Sequence, residues 1–332
     1  MAGFGEILGN EPIKQHFKLA MANDKVSHSY MLAGEKGMGK KMIAKAFAMA
    51  LLCENKTDGL EPCMKCRSCI QALSENNPDI VFVRHEKPKL VSVQDIRTQL
   101  VADIGYKPYS YKHKVYIVED AQFMNTEAQN AMLKTIEEPP SYAVIILLVT
   151  NTGSMLQTVL SRTVVLNVQP IKKEIVKEYL MKNDKIVDYQ ADVAASFAGG
   201  NLGKAKEIAA SEQFRELMEE VKQLLRYIKD MQAYEVVAAV KRASEYKVSF
   251  DDYLDLLTLW FRDVLLFKAS QDANIILFKE EIKTIKQHAA SSSYNGIEEI
   301  LSAIEKAKTR LKCNVNFDTT IELLFLTIRD NI

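Results

Sequence analysis

The sequence predicts an α/β domain of parallel βαβ units followed by an all-α region. Three patterns carry that reading. Short apolar runs alternate with amphipathic stretches to about residue 167, strand signals stop after Gln169-Pro170, and from Ser211 apolar residues recur at i, i+3 and i+4. At 332 residues, 48% hydrophobic and 26% charged, the chain has room for two or three domains and the composition of a folded protein.

The first strand is "SYMLAG", which runs into the glycine-rich stretch "GEKGMGKK" (Gly34 to Lys41) and then a helix, "KMIAKAFAMALLC". "DIVFV" (Asp79–Val83) predicts a buried strand, and "SVQDIRTQLVADI" opens on Ser92-x-x-Asp95, the pattern of a capping box, and continues as a helix. "KVYIVED", the helix "NTEAQNAMLKTIEEPP" and "YAVIILLVT" repeat the scheme. Pro139-Pro140 end that helix by steric clash and a missing donor. Three short helical patterns fill 171–209 around the glycine cluster "GGNLG". Long helices follow, among them "FDDYLDLLTLWFRDVLLFKAS", where Trp260 belongs to a core or an interface between subunits. The expected division is an α/β domain over 1–168, a small helical lid over 169–209 and a helical bundle over 210–332.

Lys+Arg and Asp+Glu are both 43, so the formal net charge is zero and any contact with nucleic acid is local or shared with partners. The N-terminus lacks the pattern of a signal peptide, and the longest apolar run is far shorter than the roughly 20 residues a bilayer requires. A cytoplasmic protein is expected.

The loop Gly34–Lys41 completes G-x-x-x-x-G-K with Gly34, Gly39 and Lys40, and Gly37 adds a further turn glycine. Between a strand and a helix, such a loop offers backbone N–H groups to phosphate oxygens. The next residue, however, is Lys41, where a serine or threonine would ligate Mg²⁺. An ammonium has no lone pair, so the loop predicts weak or absent hydrolysis, with ATP or ADP held, if at all, without that ligand. Glu119 and Asp120 end the strand "KVYIVED" as a paired acid in the order Glu-Asp, which misplaces both carboxylates if successive residues face opposite sides.

Cys53, Cys63, Cys66 and Cys69 fall in "CENKTDGLEPCMKCRSC", within an insertion over 53–69. Two successive C-x2-C steps and one upstream thiol suit structural Zn²⁺ at about 2.3 Å per Zn–S bond, with no open position for catalysis. The fifth cysteine, Cys313, lies in an apolar helical pattern that predicts burial.

"HSYMLAGEKGMGKKMIAKAFA", the four-cysteine insertion, "QNAMLKTIEEPP" and "TVLSRTVVL" together resemble the AAA+ subunits of the bacterial DNA polymerase III clamp loader over roughly residues 3 to 210. The resemblance implies assembly with delta and gamma/tau subunits and loading of the sliding β clamp onto primer-template DNA. It places Thr150 and Asn151 at the family's phosphate-sensing position, and Gly203 where an active ATPase carries arginine. It also likens Ser161-Arg162-Thr163 to a Ser-Arg-Cys motif, making Arg162 an arginine finger for a neighbour and Ser161 its support. Taken alone, Arg162 would be one more surface ion pair. Lys41, the reversed acids and Gly203 point to a member without its own hydrolysis. An ATP-hydrolysing subunit of gamma/tau type is the enzyme alternative, and a zinc-containing DNA-binding module is a third.

Overall fold

The computed structural model describes residues 3–57 and 60–332, which divide into two compact units. The first comprises 3–176 and 199–204, the second 177–198 and 205–332. The first break between the units falls at 176/177, and residues 199–204 return to the first unit.

In the first unit five parallel strands, β1 (Ser29–Ala33), β2 (Ile80–Val83), β3 (Lys114–Val118), β4 (Ala143–Val149) and β5 (Val164–Asn167), form one sheet in the order β2-β3-β4-β1-β5. Side chains alternate between its faces, as the two-residue repeat of a strand requires. Tyr30, Leu32, Ile117 and Ile146 enter one buried cluster with Phe17 and Phe47; Met31, Tyr116, Ile145 and Leu147 enter the other with Ile96, Met132 and Val159. Helices α1 (Glu11–Ala22), α2 (Lys40–Leu52) and α3 (Arg67–Leu73) supply the first face, while α4 (Val93–Ile96), α5 (Thr126–Glu137) and α6 (Gln157–Leu160) supply the second. Because both faces are covered, β1, β3 and β4 are buried throughout and read as continuous apolar runs.

The Ser92–Asp95 capping box is present, but the helix behind it is not regular. After Ile96 the backbone widens to a π turn over Arg97–Val101, where the Gln99 side chain exchanges two hydrogen bonds with the main chain of Arg84. α5 is capped by Asn125, whose side chain accepts from Ala128 N, and stops at Glu137 ahead of Pro139-Pro140.

Helices α7 (Lys173–Asn183), α8 (Asp188–Phe197) and α9 (Leu202–Ala210) occupy the three predicted short patterns. The second unit otherwise consists of α10 (Glu212–Tyr227), α11 (Ala233–Ala243), α12 (Phe250–Ser270), α13 (Ile282–Ser291), α14 (Tyr294–Lys312) and α15 (Phe317–Asn331), with short 3-10 turns in the connections from α10 to α13. Trp260 is fully buried and donates Nε1–H to His288 Nδ1 at 3.2 Å. Burial drives the His288 pKa down to about 4, so its neutral ring accepts that bond. Cys313 departs from expectation: it is exposed, because it forms the C-cap of α14, beyond the stripe that Ile297, Ile300 and Ile304 bury.

Candidate functional site

The parallel sheet brings the ends of β1, β3 and β4 to one edge, so Gly34–Lys41, Glu119–Asp120 and Thr150 meet there. Lys36, Gly37, Gly39, Lys40, Lys41, Glu119, Asp120 and Thr150 line a cavity of about 710 Å³ there, together with Lys45 and Glu75. Gly37 and Gly39 take φ of 91° and 84°, left-handed values that a side chain would strain, and Gly39 is the N-cap of α2. Gly34 and Asn151 are not among the lining residues. Gly34 instead closes the loop from below, its N–H donating to Val149 O at 3.1 Å, and Asn151 N-caps a 3-10 turn beyond β4.

The two lysines have different partners. Lys40 Nζ donates to the carbonyls of Gly34 and Glu35, closing back on its own loop. Burial lowers its pKa, against the opposing pull of Asp120 and Glu35. Lys41 Nζ lies 2.9 Å from Glu119 Oε1 and 3.8 Å from Glu75 Oε1, and 5.2 Å from the centre of the Phe82 ring. The contact with Glu119 is an ion pair without hydrogen-bond geometry, and no other donor reaches that buried oxygen. Burial alone would raise the Glu75 pKa, but Lys41, Lys45 and Arg84 together bring it down. A cation therefore sits against the acid that would face a metal. The residues present do not fit Mg²⁺: the hydroxyl ligand is missing and Glu119 is already neutralised.

Strand alternation does not set the directions of Glu119 and Asp120, which lie beyond the strand. β3 ends at Val118, and Asp120 adopts φ 50°, turning the chain into a 3-10 helix. Gln122, which carries no motif, bridges the site by donating to Asp120 Oδ1 at 3.1 Å and accepting from Thr150 N at 3.2 Å.

Asn201 and Gly203 cover the loop from the start of α9. Asn201, buried, donates to Lys36 O at 2.8 Å and accepts from Lys204 N, while Gly203 N donates to Gly37 O at 3.0 Å. A Cβ on Gly203 would stand 2.6 Å from Gly37 Cα and 2.7 Å from Gly37 O. Backbone rests on backbone at the position the resemblance assigns to an arginine in active members, leaving no room for a side chain.

Arg162 lies at the opposite edge of the sheet. Thr163 precedes β5 and its hydroxyl accepts from Ser29 Oγ at 3.3 Å, at the start of β1. Crossing the five residues of β1 to the glycine loop spans about 16 Å at roughly 3.3 Å per residue. Arg162 Nε pairs with Glu137 Oε1 at 2.9 Å, while Nη1 donates to Thr158 O at 3.0 Å and to Ser161 Oγ at 3.1 Å.

The four cysteines converge in the insertion. Their sulfurs all lie within 4.8 Å of one another, with Cys53 and Cys66 at 4.0 Å; Cys53, Cys66 and Cys69 are buried. Corners of a tetrahedron with bonds of about 2.3 Å stand roughly 3.8 Å apart, so the cluster fits a four-thiolate metal site. Backbone N–H groups of Lys65 and Cys66 pull the Cys63 thiol down to about 6, whereas burial pushes Cys53 and Cys69 up. Cys63 N, Cys66 N and Cys69 N donate to sulfurs of the cluster at 3.2 to 3.5 Å, orienting them.

Residues 9–172 match the family model described as DNA polymerase III, delta subunit. The chain is 28% identical to DNA polymerase III subunit delta' of Bacillus subtilis over 315 residues, which covers 94% of this chain and 93% of that protein. The chain is thus similar to subunits of DNA polymerase III over nearly its whole length. It is also 25% identical to the tau subunit of the same organism over 93% of its own length, but over only 58% of that protein. Among solved structures, a gamma subunit-related protein of Thermotoga maritima aligns over 96% of this chain and 99% of that one, at 19% identity and a TM-score of 0.41. The AAA+ fold of the family agrees with the parallel sheet and its loop between β1 and α2. No described helix is long and apolar enough to cross a membrane.

Proposed function

We propose that this chain is the delta-prime subunit of a DNA polymerase III clamp loader, a non-hydrolysing member that serves a neighbour. In this reading it assembles with delta and gamma/tau subunits in the cytoplasm, and the complex loads the sliding β clamp onto primer-template DNA. Residues 169–209 act as the lid and 210–332 as the helical collar. One observation carries the reading: Lys41 of the chain's own loop is paired with Glu119, while Arg162 stands at the opposite edge of the sheet, beside the start of the strand whose other end carries that loop. The first feature opposes hydrolysis in cis. The second suits a guanidinium offered in trans, with Ser161 supporting it.

The test compares the purified chain with a reconstituted assembly. Alone, the wild-type chain is expected to turn over ATP no faster than Lys40→Ala. With delta and gamma/tau it should co-elute as one complex, and omitting it should abolish clamp loading on primed DNA. Turnover by the isolated chain that depends on Lys40 would instead support the gamma/tau-type reading.

We assign zinc to the cysteine cluster. Structural zinc binds with roughly 10–16 kcal/mol at neutral pH, so elemental analysis should find about one ion per chain after dialysis against a weak chelator. Cys66→Ser should lose the ion and lower the first unit's melting temperature by several degrees, roughly 2–4 °C per kcal/mol for a unit this size. A metal-free wild-type chain of equal stability would refute the assignment.

A further inference from the structure

Four lysines, Lys36, Lys40, Lys41 and Lys45, and four acids, Glu6, Glu75, Glu119 and Asp120, line the cavity at the glycine loop. Their charges balance, so an anion entering there meets no net attraction. Glu75 gathers three cations: its Oε1 accepts from Lys45 Nζ at 3.4 Å and lies 3.8 Å from Lys41 Nζ, and its Oε2 accepts from Arg84 Nη2 at 2.6 Å. It does so from a costly place. Glu75 follows the C-cap of α3 with φ 57°, the left-handed position at which helices favour glycine.

α3 has seven residues, too few for a stable helix alone, and it buries only Ser68, Cys69 and Ala72, none of them a large apolar side chain. Its anchorage lies at its start, where Cys66 is the N-cap and Cys69 sits in the first turn, beside Cys53 at the C-cap of α2. From there α3 returns along α2 until Leu73 O accepts from Lys45 Nζ at 3.2 Å. The loop beyond is tied to the same base: Asn77, buried, donates to Ser68 O and Oγ at 3.2 Å, between two of the cysteines. Glu75 is thus carried on an arm whose base is the cysteine cluster. We propose that this cluster sets the charge of the cavity: with the ion bound, α3 holds Glu75 among Lys41, Lys45 and Arg84, and without it the carboxylate is withdrawn and the cavity binds anions. The coupling rests on the assignment of zinc to the cluster.

The experiment uses the full chain and inorganic sulfate, an anion that does not draw zinc from thiolates, titrated against the amide signals of residues 37–41. Stripping zinc from the reduced wild type with a strong chelator should tighten sulfate binding about five- to tenfold, the share left to partly exposed ion pairs after screening. Glu75→Gln should bind sulfate that tightly with zinc in place, and stripping the variant should add less than about twofold, because ion and carboxylate act through one path. If the stripped chain unfolds, the loaded one decides: coupling is reciprocal, so saturating sulfate should weaken zinc binding against a competing dye by the same factor in wild type and not in Glu75→Gln. Unchanged sulfate binding by Glu75→Gln overturns the proposal, as does a stripped wild type that stays folded and binds no tighter, or a zinc affinity that sulfate leaves alone. If the purified chain carries no zinc, the assignment of the ion fails first; zinc that comes and goes without effect on sulfate fails the coupling alone.

Discussion

Arg162→Ala is expected to leave the reconstituted clamp loader assembled and to slow hydrolysis at one of its nucleotide sites by about 10³-fold or more, the range found for arginine fingers. Assembly should survive because Arg162 is 40% exposed and its partners are Glu137, Thr158 and its neighbour Ser161, none of them part of a buried core. The effect on bulk turnover will be smaller than at the site itself, since other sites continue to fire. A single-turnover measurement separates the two by resolving a slow phase. Arg162→Lys should rescue little: a lysine has one rotating ammonium, so it cannot be held through one nitrogen, as Arg162 is through Nη1, while presenting a second planar edge. Unchanged single-turnover kinetics in Arg162→Ala would remove the chain's proposed contribution to catalysis.

Much of the first unit was legible because its signals are local. Glycines at 34, 37 and 39 announce a turn whatever surrounds them, and the buried strands "YIV" and "VIILLV" have no competing helical period. The capping box at Ser92 and the extent of α12, Phe250–Ser270, also follow from neighbouring residues alone. What escaped depends on partners far along the chain. β5 is a four-residue edge strand whose residues alternate between half-buried and exposed, so it lacks the apolar run that marked the others. α13 is short and carries a narrow apolar stripe of Ile285, His288 and Ala289. At the site, Lys41 and the acids were visible, but their pairing across α2 and β3 was not. Gln122 and Asn201 belong to no motif, and they act only because the fold brings Thr150 and Lys36 to them. The Arg162–Glu137 pair illustrates the same limit: Arg162 stands out in its motif, but its ion-pair partner on another helix does not.

Lys41→Thr should make nucleotide binding by this chain depend on magnesium, which the wild type resists for electrostatic reasons. An ammonium about 4 Å from a divalent ion, at an effective dielectric of about 20, is repelled by roughly 8 kcal/mol. That is a ceiling, because the Lys41 side chain is 43% exposed and can swing toward Glu75, so a change of about 1.4 to 3 kcal/mol is the reasonable share. It corresponds to about 10- to 100-fold in affinity. Titrating labelled ADP with magnesium or with EDTA should therefore give a wild type that binds no better with the metal. Lys41→Thr, whose hydroxyl can ligate and whose Glu119 is released from its ion pair, should bind at least about tenfold better with it. Hydrolysis should not follow, since Gly203 still presses its backbone onto Gly37 and leaves no room for a side chain there. Separate barriers, one of charge and one of backbone, thus guard the same loop, and only the first yields to one substitution. A wild-type chain that already prefers magnesium-ADP by tenfold would show that Lys41 does not hold the metal off.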